Sequence, residues 1–258
     1  PPPPATPPPP PRSPELPRHC WQWGGPHYFS FSESDFDAPR VGLTSLATWT
    51  DPATAAVQSI QSYSCPIPCA DDAPGDGACG GAGNVALAAS LFGTTFLLSS
   101  SPASASASNP PSPTLYVDGL PLDPPLDEGG STSLPCARCP GDATLTIHAL
   151  GGDEAAAYKS PGAKFEISFG DGDGSVHLTT LTLPVAALPT AALHNTKLTL
   201  PHPAHIAHAA VSGACADAPD DPAAAAPTAN AAWAPSVLSA LQDACGVPAA
   251  RRRALSLS

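Results

Sequence analysis

Prolines occupy nine of the first eleven positions of the chain, in the stretch PPPPATPPPPP, and this density decides what that end can form. Proline has no backbone N–H and its ring restricts φ, so neither a helix nor a sheet can be built there. The stretch instead predicts a polyproline II rod, a stiff left-handed helix that rises about 3.1 Å per residue. We therefore expect residues 1–19 to form a polyproline II tail.

The chain of 258 residues carries a net charge of −12 at pH 7, and only 12% of its residues are charged. An acidic surplus argues against nucleic acid as a partner, because that ligand requires basic patches. The dense basic cluster at 251–253 is interpreted as a solvated tail, with contact to an acidic patch on a neighbour as the alternative. No apolar run is long enough to span a membrane, so no membrane span is predicted.

Cysteines are present in an even number, in a chain that is rich in Pro, Ser and Thr. The eight are Cys20, Cys65, Cys69, Cys79, Cys136, Cys139, Cys215 and Cys245. They predict disulfides and a secreted, extracellular protein rather than a zinc site built from CPIPC and CARC. The pairing stays open: Cys215 with Cys245 is one option, and Cys20 with one of Cys65, Cys69 and Cys79 is another. Since Met is absent, we expect a chain that has lost a signal peptide, or a segment of a longer protein.

Short runs that alternate between apolar and polar residues recur along the chain, with Gly, Pro, Asn and Asp between them. Such runs predict β-strands. They are found in CWQWGGPHYFSFSESDF, VGLTSLATW, AAVQSIQSY, NVALAASLFGTTFLLSS, TLYVDG, ATLTIHAL, AKFEISFG, VHLTTLTLPV and TKLTLP. The stretch NAAWAPSVLSALQDACG predicts a helix near 235–245, with proline in its first turn and glycine after its end.

This pattern predicts a mainly β fold: disulfide-bonded, antiparallel β-sandwich units of the immunoglobulin-like type, with a polyproline II rod before them and a short C-terminal helix. We place a cysteine-containing β-rich domain at 20–99 and a Ser/Ala/Pro linker or loop at 100–113. A β-sandwich domain with the helix follows at 114–258. The stretch FGDG at 169–172 is similar to the strand-turn of polycystic-kidney-disease-type immunoglobulin-like repeats, and this similarity also favours a sandwich.

Motifs of common enzymes are missing from the sequence, which has no GxSxG, HExxH or GxxxxGK[ST]. Glu33, Asp35 and Asp37 alternate along one predicted strand, as carboxylates on an exposed face commonly do, and no substrate platform is predicted beside them. We therefore predict a protein that is not an enzyme and needs no cofactor.

Two further motifs contain residue types that bind metals. Asp171 and Asp173 lie among glycines and are weak candidates for calcium, but a tight hairpin turn accounts for them better. The histidines of HPAHIAH, at 202, 205 and 208, are interpreted as ordinary surface or half-buried residues rather than as metal ligands. No metal site is predicted.

Four aromatic residues, Trp21, Trp23, Tyr28 and Phe29, follow the proline tail closely. Aromatic rings line the grooves that bind polyproline II helices, so these four are our candidates for binding a neighbouring subunit's proline segment. The alternative is that they pack in the core, where large aromatic side chains are common.

The proline tail, the stretch SSPASASASNPPSP and the alanine-rich remainder with its cysteines resemble the hydroxyproline-rich extracellular glycoproteins of volvocine green algae. That family includes cell-wall, mastigoneme and pherophorin-like proteins; the pherophorin cysteine pattern is not found here. The resemblance implies hydroxylation and O-glycosylation of the tail prolines. These are Pro1, Pro2, Pro3, Pro4, Pro7, Pro8, Pro9, Pro10 and Pro11. N-glycosylation is not expected, because the sequence has no Asn-x-Ser/Thr motif.

Together these features predict a secreted structural glycoprotein, a subunit of an extracellular filament, cell wall or matrix. Its partners would be further copies of itself in a helical homopolymer, or other matrix glycoproteins, with the proline rod mediating or spacing the contacts. The alternative is a carbohydrate-binding or adhesion module on a glycosylated proline-rich stalk, in which Trp21 and Trp23 stack on sugars.

Overall fold

A computed structural model describes fifteen stretches of the chain. They are 18–23, 27–38, 41–51, 55–67, 81–99, 114–123, 125–135, 145–151, 164–169, 176–184, 188, 192–200, 211–216, 233 and 235–246. Several predictions fall outside these stretches: the proline tail up to residue 17, Cys69, Cys79, Cys136, Cys139, Asp171, Asp173, the histidines at 202, 205 and 208, and the basic cluster at 251–253. Residues 18 and 19, which belong to the predicted tail, are instead part of the strand Arg18–Trp23.

The described residues form fourteen strands and one helix. The strands are β1 (Arg18–Trp23), β2 (His27–Phe29), β3 (Asp35–Asp37), β4 (Gly42–Thr50), β5 (Val57–Pro66), β6 (Ala82–Leu91), β7 (Thr94–Ser99), β8 (Thr114–Val117), β9 (Leu120–Pro121), β10 (Ser131–Leu134), β11 (Leu145–Ala149), β12 (Lys164–Phe169), β13 (Val176–Pro184) and β14 (Ala192–Leu200). The helix is α1 (Pro235–Ala244), at the predicted place.

Two antiparallel sheets contain all of these strands. Sheet A has the order β10-β11-β12-β13-β14-β1-β2-β3, and sheet B has the order β4-β5-β6-β7-β8-β9. The prediction of a mainly β, antiparallel fold with a short helix is confirmed. The described strands follow one another as a meander, with β1 inserted between β14 and β2. The Greek-key connections of an immunoglobulin-like sandwich are not seen among them.

Both sheets combine strands from the two sides of residues 100–113. In sheet B, β7 pairs with β8, with Ser99 opposite Thr114 and Phe96 opposite Val117. In sheet A, β1 pairs with β14. The segments 20–99 and 114–258 therefore do not form two separate sheet systems in the described part of the chain. A low-complexity stretch does not by itself distinguish an interdomain linker from a connection between two paired strands.

The main core lies between the two sheets. Leu46, Ile60, Leu87 and Leu98 of sheet B pack in it with Leu145, Ile147, Leu178 and Leu198 of sheet A, and none of these eight is more than 4% exposed. Because strand residues alternate between faces, side chains two residues apart, such as Leu145 and Ile147 in β11, enter this core together.

A second, smaller core covers the opposite face of sheet B. There Tyr63 and Leu97 pack with Leu241 of α1 and with Trp233, whose Nε1 donates a hydrogen bond of 2.8 Å to the side chain of Gln61. Sheet B is therefore buried on both faces, which explains why its central strand β6 reads as a run of small and apolar residues rather than as an alternation.

Two disulfides connect the N-terminal strands to the C-terminal part of the chain. Cys20 in β1 is bonded to Cys215, and Cys65 in β5 is bonded to Cys245 at the end of α1. Neither pairing considered from the sequence is formed by these four cysteines. The reason is the topology: β1 and β5 lie in different sheets, and each one binds a different piece of the C-terminal segment.

Residues 211–216 lie along the edge of β4 and seal that side of the space between the sheets. The backbones of Ser212 and Thr48 exchange two hydrogen bonds of 2.9 Å, and the amide of Cys215 donates to the carbonyl of Leu46. Gly213 lies so close to β4 that a Cβ atom there would be 2.7 Å from the carbonyl oxygen of Leu46. An edge strand that would otherwise expose its backbone groups is thereby covered.

Candidate binding face

The outward face of sheet A carries three of the four aromatic residues that the sequence marks as candidates. In β1, Cys20 and Gln22 are buried toward sheet B, so alternation directs Trp21 and Trp23 outward. Trp23 is 38% exposed, and Trp21 is half-buried.

In β2 the middle residue, Tyr28, is in the main core with 2% exposure, and its neighbour Phe29 is half-buried on the outward face. In the main core, the ring of Tyr28 stacks on the ring of Phe36 of β3, with centroids 5.3 Å apart. The interpretation as a core residue therefore holds for Tyr28, whereas the other three residues of the set share the outward face.

The register of β14, β1, β2 and β3 places these outward side chains in two rows across the strands. Cross-strand partners lie about 5 Å apart, so each row forms a continuous strip. The first row consists of Lys197, Trp21, Phe29 and Asp35, and the second row consists of Trp23, His27 and Asp37. We refer to these residues together as the aromatic face.

Contacts within each row hold the side chains in place. The Nζ atom of Lys197 lies 4.6 Å from the ring centroid of Trp21. The rings of Trp23 and His27 stack, with centroids 6.2 Å apart and an interplanar angle of 25°, and Nδ1 of His27 contacts Oδ1 of Asp37. Each row therefore combines two neighbouring rings with a carboxylate at its end on β3, the edge strand of sheet A.

Charged groups also line the outward face beside the first row. Burial lowers the pKa of Lys197, and the carboxylate of Glu166 acts in the opposite direction. Burial, together with the charge of Lys197, lowers the pKa of His19, whose Nδ1 is 2.9 Å from Oγ1 of Thr199. His177 lies 3.3 Å from Glu166. The ammonium group of Lys197 thus has carboxylates on both sides of it across the sheet: Glu166 on β12, and Asp35 and Asp37 at the β3 edge.

The strand predicted to carry Glu33, Asp35 and Asp37 is interrupted, and this changes the arrangement of the three carboxylates. A turn over Ser30–Ser34, in which Glu33 has φ of 62°, separates β2 from β3. Only Asp35 and Asp37 lie on a strand face. Among the residues that the structure describes, no group of three or more His, Cys, Asp or Glu side chains could hold a metal ion.

A buried polar cluster inside the molecule was not anticipated from the sequence. Nε2 of Gln22 donates to the hydroxyls of Tyr28 and Ser62, and Nδ2 of Asn84 donates to Oε1 of Gln22 at 3.1 Å. Asn84 also donates to the backbone carbonyl of His194 at 3.0 Å. These bonds join sheet A to sheet B, because Gln22 and His194 belong to one sheet and Ser62 and Asn84 to the other.

His194 is the titratable member of this cluster. Its Nδ1 is 3.0 Å from the hydroxyl of Thr182, its partner on the neighbouring strand β13. Burial lowers the pKa of His194 to about 4, and a backbone contact with Val85 opposes that shift. The side chain is therefore neutral at physiological pH. A signal for this cluster does exist in the sequence: polar residues occupy the inward positions of otherwise apolar strands.

These features define a class: an antiparallel two-sheet β protein with disulfides and an exposed aromatic face. Comparison with protein-family models gives no match for the chain, and comparison with curated proteins gives none at a significant level. In the described part of the chain, no helix has both the length and the apolar character needed to cross a membrane.

Proposed function

We propose that the protein is a secreted structural glycoprotein, a subunit of an extracellular filament, wall or matrix, which uses its aromatic face to bind an extended proline-rich segment of a neighbouring subunit. The observation that carries this proposal is the placement of Trp21, Trp23 and Phe29 on one outward face. The first of these residues, Trp21, follows ten residues after a stretch, 1–11, in which nine residues are proline.

The chemistry of a proline-rich ligand suits this face. Pyrrolidine rings pack against aromatic side chains, and the fixed φ of proline means that little conformational freedom is lost on binding. Trp23 is partly exposed beside His27, and the half-buried side chains of Trp21 and Phe29 lie on the same face. A ligand of this kind needs little ordering to bind such a face, because its backbone is already extended.

The disulfides support the proposed location. Structural disulfides persist in oxidising compartments, and both bonds here join elements that lie far apart in the sequence. Hydroxylation and O-glycosylation of the tail prolines belong to the same proposal through the resemblance to hydroxyproline-rich glycoproteins.

Sedimentation velocity of the intact chain over a range of concentrations tests this function. We expect concentration-dependent self-association that is lost when residues 1–17 are removed and weakened about tenfold or more by Trp23→Ala. The control is Leu120→Ala, which removes an apolar side chain that is more exposed than Trp23, 71% against 38%, at the far edge of sheet B. A wild-type chain that stays monomeric at all concentrations would refute the proposal.

A carbohydrate-binding module is the second candidate, and one observation favours it. The exposed ring of Trp23 lies beside the His27–Asp37 pair, so a sugar could stack on the ring and form hydrogen bonds with its neighbours. Glycan pull-down separates the two functions. Glycan capture that Trp23→Ala abolishes and removal of residues 1–17 leaves unchanged would favour this module.

A further inference from the structure

We propose a defined register for this contact, an inference that rests on the function proposed above. The occupant of the aromatic face is residues 7–17 of a second copy of the chain. Arg12 of that copy lies at the β3 edge beside Asp35 and Asp37, and Glu15 lies at Lys197. The contact is therefore directional, and one copy donates its tail while the other offers its face.

The first argument for this register is the spacing of the two charged residues of the tail, Arg12 and Glu15, which are three residues apart. A polyproline II helix has three residues per turn, so Arg12 and Glu15 project from the same edge, about 9 Å apart. The prolines at 11, 14 and 17 share a second edge. Ser13 and Leu16 each precede a proline, a sequence context that favours the extended backbone this register requires. One edge of the tail therefore presents a positive and then a negative group, while the next edge presents pyrrolidine rings.

The first row of the aromatic face has the complementary order. Lys197, Trp21, Phe29 and Asp35 lie on four neighbouring strands, so the row is about 14 Å long at the usual strand spacing. Arg and Glu side chains that spread outward from positions about 9 Å apart can span that distance. The carboxylates at the β3 edge match Arg12, and the ammonium group of Lys197 matches Glu15.

The geometry favours a second copy over the chain's own tail. Arg18 and Trp21 are three residues apart on β1, so the first row lies about 10 Å along the strand from Arg18. A chain seated on the side chains runs about 10 Å above the backbone of the sheet, as a packed layer does. Its distance from Arg18 is then about 14 Å, whereas three residues span at most about 11 Å. Glu15 of the same chain therefore cannot reach the position above Lys197 that this register assigns to it.

Charge reversal in the intact chain tests this register. Glu15→Lys places two positive groups together at Lys197, and Lys197→Glu places two negative groups together at Glu15. We expect each variant alone to self-associate roughly fivefold or more weakly than the wild type, because an attraction becomes a repulsion. Asp123→Lys, which reverses an exposed carboxylate on the β8–β9 side of the molecule, serves as the control and leaves association unchanged.

Mixing the two variants decides whether the contact joins separate copies. In the mixture, Lys at position 15 of one chain meets Glu at position 197 of the other, and the opposite contact is the wild-type pair. We therefore expect the equimolar mixture to associate as the wild type does, although each variant alone does not. A mixture that stays as weak as its components would overturn the proposal.

The outcomes also separate this register from the function on which it rests. If the wild type associates and Trp23→Ala weakens it, but both charge reversals behave as the control does, the register is wrong and the aromatic face remains the contact. If the wild type does not associate at all, both proposals fail. Circular dichroism of each variant verifies that the β body is folded.

Discussion

Lys197 lies over the ring of Trp21, with its Nζ atom 4.6 Å from the ring centroid, and this contact joins β14 to β1 at the centre of sheet A. The pair connects β14, the last of the described strands, to β1, the first of them. It also fixes the one ammonium group of the aromatic face above an aromatic ring. A cation in such a position contributes about 0.5–1 kcal/mol to stability at an exposed site.

Replacing that cation has two measurable effects. We expect Lys197→Gln to lower the free energy of unfolding by about 0.5–1 kcal/mol in urea titrations, whereas Lys197→Arg preserves it. Burial and, to a smaller extent, the charge of Lys197 lower the pKa of His19, so the same glutamine variant, which removes only the charge, should raise that pKa part of the way toward 6.5 in an NMR titration. An unchanged His19 titration would show that the two groups do not interact.

The pH dependence of stability should report the buried His194. Its pKa is about 4 in the folded protein and 6.5 in the unfolded chain, so the unfolded state binds more protons between these values. The contribution of neutral His194 to the free energy of unfolding is fully present above about pH 6.5. It is lost as the pH falls toward 4, by roughly 3 kcal/mol in total.

The matched variant for this effect is His194→Gln, which keeps polar atoms in the cluster but cannot titrate. We expect its urea-unfolding free energy to fall less steeply than that of the wild type between pH 6.5 and pH 4, whatever its stability at pH 7. Parallel curves for the two proteins over this range would contradict the assignment.

Gly213 should be intolerant of any side chain. Its φ of +108° disfavours other residues, and a Cβ atom would clash with the carbonyl oxygen of Leu46 at 2.7 Å. We expect Gly213→Ala to cost about 2–3 kcal/mol. The control is Gly119→Ala at a φ of +80° with nothing within 4 Å, where about 1 kcal/mol is expected. Equal losses in chemical denaturation would show that residues 211–216 are not packed closely on β4.

The two disulfides make a direct covalent prediction. Peptide mapping without reduction should give fragments in which Cys20 is joined to Cys215 and Cys65 is joined to Cys245. Replacing both members of either pair by serine should lower the stability by about 2–5 kcal/mol. A fragment that joins Cys215 to Cys245 would instead support the pairing considered from the sequence.

Local patterns anticipated much of the fold, because they depend on neighbouring residues. The alternation in VGLTSLATW matches β4, and NVALAASLFGTTFLLSS is β-structure as predicted, although a turn at Phe92 and Gly93 divides it into β6 and β7. The apolar stripe of PSVLSALQDA matches α1. Each of these features is set within about ten residues, a range over which periodicity is informative.

Such local patterns do not predict features that depend on residues far apart in the sequence. Nothing near Arg18–Trp23 indicates that this strand pairs with Ala192–Leu200, and the pairing of Cys20 with Cys215 follows from that topology. The sequence also does not determine on which side of its sheet each aromatic side chain lies. Tyr28 and Trp23 look alike as candidates in the sequence, but one packs in the core and the other is exposed, because the phase of each strand is set by tertiary packing.

Tryptophan fluorescence offers the most direct test of the central claim that the aromatic face binds the proline tail. A synthetic peptide of residues 1–17 would be titrated into the intact chain at a concentration below its self-association. Trp49 and Trp233 are buried, so a change should come from the aromatic face. We expect a saturable blue shift that Trp23→Phe reduces. No change on adding the peptide, or the same change in Trp23→Phe, would contradict the claim.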